Sequence, residues 1–214
     1  MARIDDQNEF LAKRRPQLMG PAAQAKALAE ATAKLAARRQ RDALPHRIET
    51  PRLVLRAPIR GDVPDLVKLA DNRKIYDVLA RLPHPYTRAD GIAFVEIIAQ
   101  RPDGRPYAIT IKDQFIGVVS FDYLPGEPPE IGYWLGEPHW GKGIMSEAVK
   151  GLLEAAFATG LYPRIKGRAL KSNTGSLNVM EKAGFHRTGE GPDTIGHSGG
   201  ATLVFLEMEQ PKWT

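Results

Sequence analysis

Apolar and polar residues follow two kinds of spacing along this 214-residue chain. Short segments rich in β-branched and aromatic residues, in which apolar and polar positions alternate, are typical of half-buried strands. The strand-like segments are RLVLRAP (52–58), PYAITIK (106–112), FIGVVSFDYL (115–124), EIGYWL (130–135), RIKGRAL (164–170) and ATLVFLEMEQ (201–210).

Segments with apolar residues every three or four positions lie between these strands and are typical of helices with one buried face. They are GDVPDLVKLADN (61–72), TRADGIAFVEIIAQ (87–100), 145–159 and TGSLNVMEKAG (174–184). The order is strand, two helices, three strands, helix, strand, helix and strand. This order predicts an α+β fold in which a sheet is layered with helices.

The first 47 residues form a separate arm in this interpretation, and the remaining 48–214 form one domain. The arm contains PAAQAKALAEATAKLAARRQRDAL (21–44), a run of strong helix formers that begins with proline and is stopped by Pro45. Leu28 and Leu35 provide only a narrow apolar stripe. We therefore expect a solvated helix at the edge of the domain, or disorder, in preference to a ribosome-contacting or partner-binding arm.

The charge of the chain is unevenly distributed. The formal net charge is +5, with 30 Lys and Arg against 25 Asp and Glu. The arm holds ten basic and five acidic residues, so the domain holds twenty of each. Because the domain has no overall basic field, we do not expect it to bind nucleic acid directly.

Composition also narrows the class of protein. The chain has no cysteine, which excludes disulfides, thiolate nucleophiles and cysteine zinc sites. The five histidines show no metal-ligand spacing. No apolar run reaches the ~18–20 residues needed to span a bilayer, and the first residues lack the order of a secretory signal. We expect a cytoplasmic enzyme that does not act at a membrane.

The most informative segment is EIGYWLGEPHWGKGIMSEAVKGLLEAAF (130–157). Its strand runs into a glycine-spaced loop, Trp140-Gly141-Lys142-Gly143, which opens directly into a helix. The first N–H groups of a helix lack intrahelical partners and lie at the positive end of its dipole. Glycines let an anion approach these groups closely, so the segment predicts a phosphate cradle.

A nucleoside triphosphate fits this cradle poorly. Residues 136–142 match G-x-x-x-x-G-K, but Gly143 stands where a P-loop has the Ser or Thr that holds magnesium. Pro138 removes one backbone donor, and RIKGRAL supplies no acidic magnesium ligand. A pyrophosphate bound without metal fits better. A plain glycine-rich turn before a core helix is the structural alternative.

Three stretches resemble the GNAT superfamily of N-acetyltransferases, in the branch of the ribosomal-protein N-terminal acetyltransferases. WGKGIMSEA (140–148) is similar to the coenzyme A loop of that branch. ETPRLVLRAP (49–58) resembles its first strand, T-x-R-L-x-L-R. NTGSLNVMEKAGF (173–185) matches its N-x-x-S-x-x-V-x-E-K-x-G-F segment. The resemblance covers about residues 48–214 and does not cover the arm.

The resemblance implies the GNAT fold: a mixed, mostly antiparallel sheet with flanking helices and two parallel strands that splay apart, here EIGYWL and RIKGRAL. The pantetheine arm of acetyl-coenzyme A, the co-substrate, would lie between them, with no metal required. The implied cofactor-binding residues are Trp134, Leu135, Trp140, Gly141, Lys142, Gly143, Ile144, Met145, Asn173 and Ser176.

The same resemblance implies transfer of an acetyl group to an amine. Glu130 is the candidate base, although it is also a plausible exposed strand-end carboxylate. Ser176 would assist the departing thiolate, whereas the structural alternative for Asn173 and Ser176 is helix capping. Tyr133 is a further candidate or a core aromatic, on the opposite strand face from Glu130 unless a bulge intervenes. A backbone N–H near Trp134 or Leu135 would stabilise the oxyanion.

The acceptor is predicted from the chemistry of amines. An α-amino group has a pKa near 7.7–8.0 and is partly neutral at pH 7, whereas a lysine amine near 10.4 is almost wholly protonated. Since only a modest base is apparent, a protein N-terminus is the expected acceptor. A small amine (an antibiotic, polyamine or amino acid) is the alternative, as is a non-catalytic coenzyme-A-binding or ribosome-associated module. The acceptor pocket is expected around 76–92 and 124–129, and a dimer is left open.

Overall fold

A computed structural model describes residues 20–194, 196 and 199–210 of the chain. These residues contain eight strands, β1 Arg47–Glu49, β2 Val54–Arg56, β3 Gly104–Ile111, β4 Gln114–Asp122, β5 Glu130–Leu135, β6 Arg164–Leu170, β7 His186–Pro192 and β8 Thr202–Glu209. The strands form one sheet in the order β1-β2-β3-β4-β5-β6-β8-β7. The α-helices are α1 Pro21–Ala43, α2 Val63–Ala70, α3 Arg73–Tyr76, α4 Arg88–Glu96, α5 Ile144–Ala158 and α6 Thr174–Lys182.

One parallel contact interrupts an otherwise antiparallel sheet, and it lies between β5 and β6. That contact consists of two residue pairs, Glu130 with Lys166 and Ile131 with Gly167. Beyond them β5 continues to Leu135 on β4, and β6 continues to Leu170 on β8, without pairing to each other. The expected splayed parallel strands are therefore confirmed, as is the α+β architecture.

The sheet is covered by a separate helical layer on each face. A large apolar cluster on one face includes Ile131, Leu135 and buried residues of α5 and α6. A smaller cluster on the other face joins α2 and α4 to β3, β4 and Trp134. Side chains of β5 alternate between the two clusters, which explains why the segment has the alternating pattern of a strand.

Two strand predictions needed correction. RLVLRAP is not one strand: residues 50–53 form a turn between β1 and β2, in which the Thr50 N–H donates to the Leu53 carbonyl at 3.0 Å. The two edge strands, β1 and β7, were not predicted. β1 has only three residues, and β7, HRTGEGP, is polar and glycine-containing with no fully buried residue, so neither carries an alternation long enough to detect.

The arm helix α1 lies where the sequence predicted it. Most of the helix is exposed, but its last turn is attached to the domain. Gln40 Nε2 donates to the Leu161 carbonyl at 2.7 Å, and Tyr162 Oη donates to the Gln40 carbonyl at 2.8 Å. Leu44, the residue after the helix, is 2% exposed and belongs to the large core cluster. The domain boundary at residue 47 remains a prediction, and these contacts favour one nearer to residue 40.

Two truncations test where the domain begins. Deleting residues 1–38 removes the exposed part of α1, so we expect a folded protein with a thermal midpoint close to that of the full chain. Deleting 1–44 also removes Leu44 and the Gln40 contacts, which we expect to cost about 3 kcal/mol or more. Thermal and urea unfolding followed by circular dichroism measures both. Equal stability of the two truncated proteins would show that the core does not need residues 39–44.

In the described part of the chain, no helix is both long enough and apolar enough to cross a membrane. The same residues include no group of three or more His, Asp or Glu side chains arranged to hold a metal ion.

Candidate active site

The gap between β5 and β6 exposes backbone groups of β5. The Pro129 carbonyl accepts from the Lys166 N–H at 2.9 Å, so the odd-numbered residues of β5 direct their backbone groups towards β6. Tyr133 and Leu135 are odd-numbered and lie beyond the last pair. Their N–H groups therefore face the gap, and the Leu135 carbonyl there accepts from Trp140 Nε1 at 2.6 Å.

Trp134 has the opposite orientation. Its backbone lies in the β4 ladder, opposite Val118, and its ring packs against Phe115 with the ring centroids 5.9 Å apart. The expectation that Trp134 offers its N–H in the gap is therefore corrected: Tyr133 and Leu135 are the residues with gap-facing N–H groups. The β4–β5 register is regular throughout, so β5 has no bulge that would change these facings.

A glycine loop forms the wide end of the gap. Gly141 and Gly143 have φ angles of +73° and +71°, a left-handed conformation that favours glycine. Gly143 is the N-cap of α5, and no side chain caps the helix there. The Ile144 and Met145 side chains are buried, so these residues can offer a ligand only their backbone N–H groups. The loop thus presents backbone donors at the positive end of a 15-residue helix.

Glu147 attaches this helix start to the β1–β2 turn. Its carboxylate accepts from Thr50 Oγ1 at 2.6 Å, from the Arg52 N–H at 2.8 Å and from Arg52 Nε at 2.5 Å. Burial favours the neutral acid, but these hydrogen bonds outweigh it and lower the pKa of Glu147. Gly151 permits the close approach, because a Cβ there would lie 2.7 Å from Thr50 Cγ2.

Arg52 is a cation at the loop that the sequence analysis missed. Its Nη1 donates to the Lys142 carbonyl at 3.0 Å, and its Nη2 lies 3.7 Å from where a Gly143 Cβ would be. Lys142, the expected cation, instead donates from Nζ to the Pro138 carbonyl at 2.8 Å. The signal in the sequence is the T-x-R-L pattern, which predicts a strand and also contains this arginine.

Tyr133 and Ser176 meet across the middle of the gap. Ser176 Oγ donates to Tyr133 Oη at 3.1 Å, and Tyr133 Oη donates to the Ser176 carbonyl at 2.9 Å. Burial raises the pKa of Tyr133 to about 12, so the phenol stays protonated near neutral pH. Asn173 Oδ1 accepts from the Ser176 N–H at 3.1 Å, which is the capping role that the sequence left open.

Glu130 lies at the narrow end of the gap, on the sheet face opposite to Tyr133. Its Oε1 lies 2.9 Å from Arg168 Nε, a contact on β6 that the sequence did not predict. β5 spans about 17 Å from Glu130 to Leu135, and the glycine loop follows beyond Leu135. The carboxylate, the hydroxyl pair and the phosphate cradle therefore follow one another along the gap, with the carboxylate on the opposite face of the sheet from the hydroxyls.

Comparison with known proteins gives one family match and several partial relatives. The acetyltransferase (GNAT) domain profile matches residues 52–186. A "probable N-acetyltransferase YjcK" of Bacillus subtilis (strain 168) is 44% identical over 80 residues, which are 36% of this chain and 44% of the relative. The ribosomal-protein-serine acetyltransferase of Escherichia coli (strain K12) is 33% identical over 91 residues, 42% of this chain and 51% of the relative.

These matches span about half the length of the two relatives. Among solved structures, RimL, a ribosomal L7/L12 alpha-N-protein acetyltransferase in complex with coenzyme A, superposes with a TM-score of 0.68 at 24% identity. The superposition covers 76% of this chain and 97% of RimL. At this identity the match supports the fold.

Proposed function

The chain belongs to the GNAT acetyltransferase family, and from this premise we propose that it transfers the acetyl group of acetyl-coenzyme A to a primary amine, the α-amine at the N-terminus of a protein or peptide. The observation that carries the proposal is the gap between β5 and β6, which has an uncapped helix start at one end and a carboxylate at the other. The co-substrate is long and anionic at one end, and it fits this order of groups.

In the proposed complex the pyrophosphate accepts hydrogen bonds from backbone N–H groups of Gly143, Ile144 and Met145, with Arg52 adding a positive charge.

The pantetheine amides pair with the gap-facing backbone of Tyr133 and Leu135, in the position that a neighbouring strand would otherwise occupy. Trp140, Gly141 and Lys142 shape the loop, and Asn173 holds the α6 turn that carries Ser176.

The proposed reaction is direct attack in a ternary complex. The acceptor ammonium loses one proton to Glu130, directly or through water, and the neutral nitrogen then attacks the acetyl carbonyl carbon. A new C–N bond forms while the carbonyl oxygen gains negative charge near the Tyr133 N–H, and the Tyr133 carbonyl and the Leu135 N–H remain paired with the pantetheine amides. The C–S bond then breaks, and the second amine proton leaves as the thiol is formed. The Ser176 hydroxyl, positioned by Tyr133, stabilises the departing thiolate.

An α-amine acceptor is supported by two independent arguments. Glu130 is the one candidate base in the proposed reaction. An α-amine with a pKa of 7.7–8.0 loses its proton more readily than a lysine amine does. The E. coli relative and RimL are named for acting on ribosomal proteins, and RimL for acting on the α-nitrogen. Both arguments favour the N-terminus of a polypeptide.

The test is acetylation of peptides that carry both a free N-terminus and an internal lysine. With acetyl-coenzyme A and the full chain, we expect mass spectrometry to locate the new acetyl group on the α-amine. A peptide with a blocked N-terminus serves as the control and should remain unmodified. Acetyl groups found mainly on lysine would contradict the proposed acceptor while leaving the acetyltransferase activity in place.

A small polyamine is the second candidate acceptor, favoured by the presence of two carboxylates, Asp122 and Glu130, on neighbouring strands. Spermidine and an aminoglycoside assayed in parallel with the peptides separate the two possibilities. Absence of turnover with every amine, together with tight coenzyme A binding, would favour a non-catalytic binding module.

A further inference from the structure

Two carboxylates lie directly opposite each other where β4 ends and β5 begins. Asp122 and Glu130 are partners in the β4–β5 register, so their side chains project from the same face of the sheet. Like charges in this position repel each other, which is unfavourable unless cations compensate. Arg81, from the segment between α3 and α4, and Arg168, on β6, provide the compensating charges.

The two ion pairs differ in closeness. Arg168 Nε lies 2.9 Å from Glu130 Oε1, and both side chains are largely covered, at 29% and 21% exposed. Arg81 Nη1 lies 4.0 Å from Asp122 Oδ2, too far for a hydrogen bond, and these side chains are 71% and 54% exposed. Glu130 is therefore held by its arginine, whereas Asp122 has a loose and exchangeable cation.

The surroundings of Asp122 are those of a carboxylate at an open rim. The Asp122 side chain is 54% exposed, and its register partner on β3 is Gly104, which places no side chain beside it. Partial burial raises the pKa of Asp122; Arg81 and Arg168 oppose the shift, and the like charges of Glu130 and Asp103 add to it. Because the net shift is upward, the two arginines do not fully compensate for burial and like charge.

We propose that Asp122 determines acceptor binding: it receives the acceptor amine as an ammonium ion, in exchange for Arg81, and holds it beside Glu130. This inference rests on the acetyltransferase function proposed above and specifies the form in which the amine arrives. An exposed arginine pair contributes little stability, so an ammonium ion that also gains contacts in the site can displace it. Glu130, held by Arg168, then takes the proton.

Two substitutions should change acceptor binding in opposite directions. Asp122→Asn removes the charge and should raise the acceptor KM by about tenfold or more. Arg81→Gln removes the competing cation and should lower the acceptor KM by about two- to fivefold. Steady-state kinetics with a serine-starting peptide and with spermidine would measure both, and the KM for acetyl-coenzyme A should stay near the parent value in each.

A matched control is Glu154→Gln, the same loss of charge in a loosely paired carboxylate, 3.7 Å from Lys150 and 63% exposed, on α5 over the other face of the sheet. The acceptor KM of this variant should equal that of the parent.

Salt offers a second readout, since the parent KM should rise with ionic strength and that of Asp122→Asn should rise less. If the parent turns over acceptor and Asp122→Asn leaves its KM unchanged, or Arg81→Gln raises it, the inference is overturned. Absence of parent turnover would instead overturn the proposed function.

Discussion

Replacing Gly143 with aspartate is expected to abolish binding of acetyl-coenzyme A. Gly143 caps α5 at a φ of +71°, so a side chain added there enters the proposed pyrophosphate site. Two unit charges 4 Å apart near a protein surface interact by about 4 kcal/mol, and here the interaction is repulsive. The new carboxylate would also lie close to Arg52 and neutralise it. We expect an increase in Kd of about a hundredfold or more, measured by titration calorimetry with coenzyme A.

Gly160→Asp is the matched control for this substitution. Gly160 follows the other end of α5 with nearly the same φ, +70°, and a Cβ there would have no neighbour within 4 Å. It therefore reproduces the backbone strain and the added charge without approaching the proposed ligand. Calorimetry should show parent-like binding for this variant. Parent-like binding by Gly143→Asp, or binding of ATP–magnesium by the parent in place of coenzyme A, would contradict the assignment of the cradle.

The second large effect is expected at the hydroxyl pair in the gap. Ser176→Ala removes the group that would stabilise the thiolate, an interaction made mainly in the transition state. We expect kcat to fall by about ten- to a hundredfold while the KM for acetyl-coenzyme A changes little. Tyr133→Phe should act in the same direction but less strongly, because it removes only the partner that orients Ser176.

The pH dependence of the rate tests the role of the Tyr133 phenol. Because the pKa of Tyr133 is raised to about 12, removing the phenol should lower the rate without changing the shape of the profile between pH 6 and 9. Ser172→Ala, at an exposed position just before α6, is the control and should retain the parent rate. Parent-like kinetics of both Ser176→Ala and Tyr133→Phe would show that neither hydroxyl assists the reaction.

The sequence predicted those parts of the fold whose signal is local. The splayed strands, α5 and α6 were predicted because periodicity, glycine positions and a family motif all lie within single segments. β7 was missed because an edge strand that buries nothing has no apolar pattern. The turn at Thr50 was missed because its side-chain hydrogen bonds, not its hydrophobicity, define it.

The contacts of the candidate site that the sequence did not predict share one cause. Arg52, Arg168 and Asp122 have partners that are distant in sequence: Arg52 contacts Glu147, 95 residues away, Arg168 reaches β5 from β6, and Asp122 is paired with Arg81. Only the assembled sheet brings these charges together. The direction of backbone groups, which separates Trp134 from its two neighbours, likewise depends on strand pairing that no single segment encodes.

The two-pair contact between β5 and β6 means that this sheet has four edges. Besides the outer edges at β1 and β7, it has two inner edges, where β5 and β6 turn unpaired backbone groups towards each other. Unpaired strand edges invite association with other chains unless something covers them. A ligand in the gap would close both inner edges at once. Such a ligand would therefore occupy the place of a strand as well as react. Raising its concentration would stabilise the folded protein and reduce association between chains.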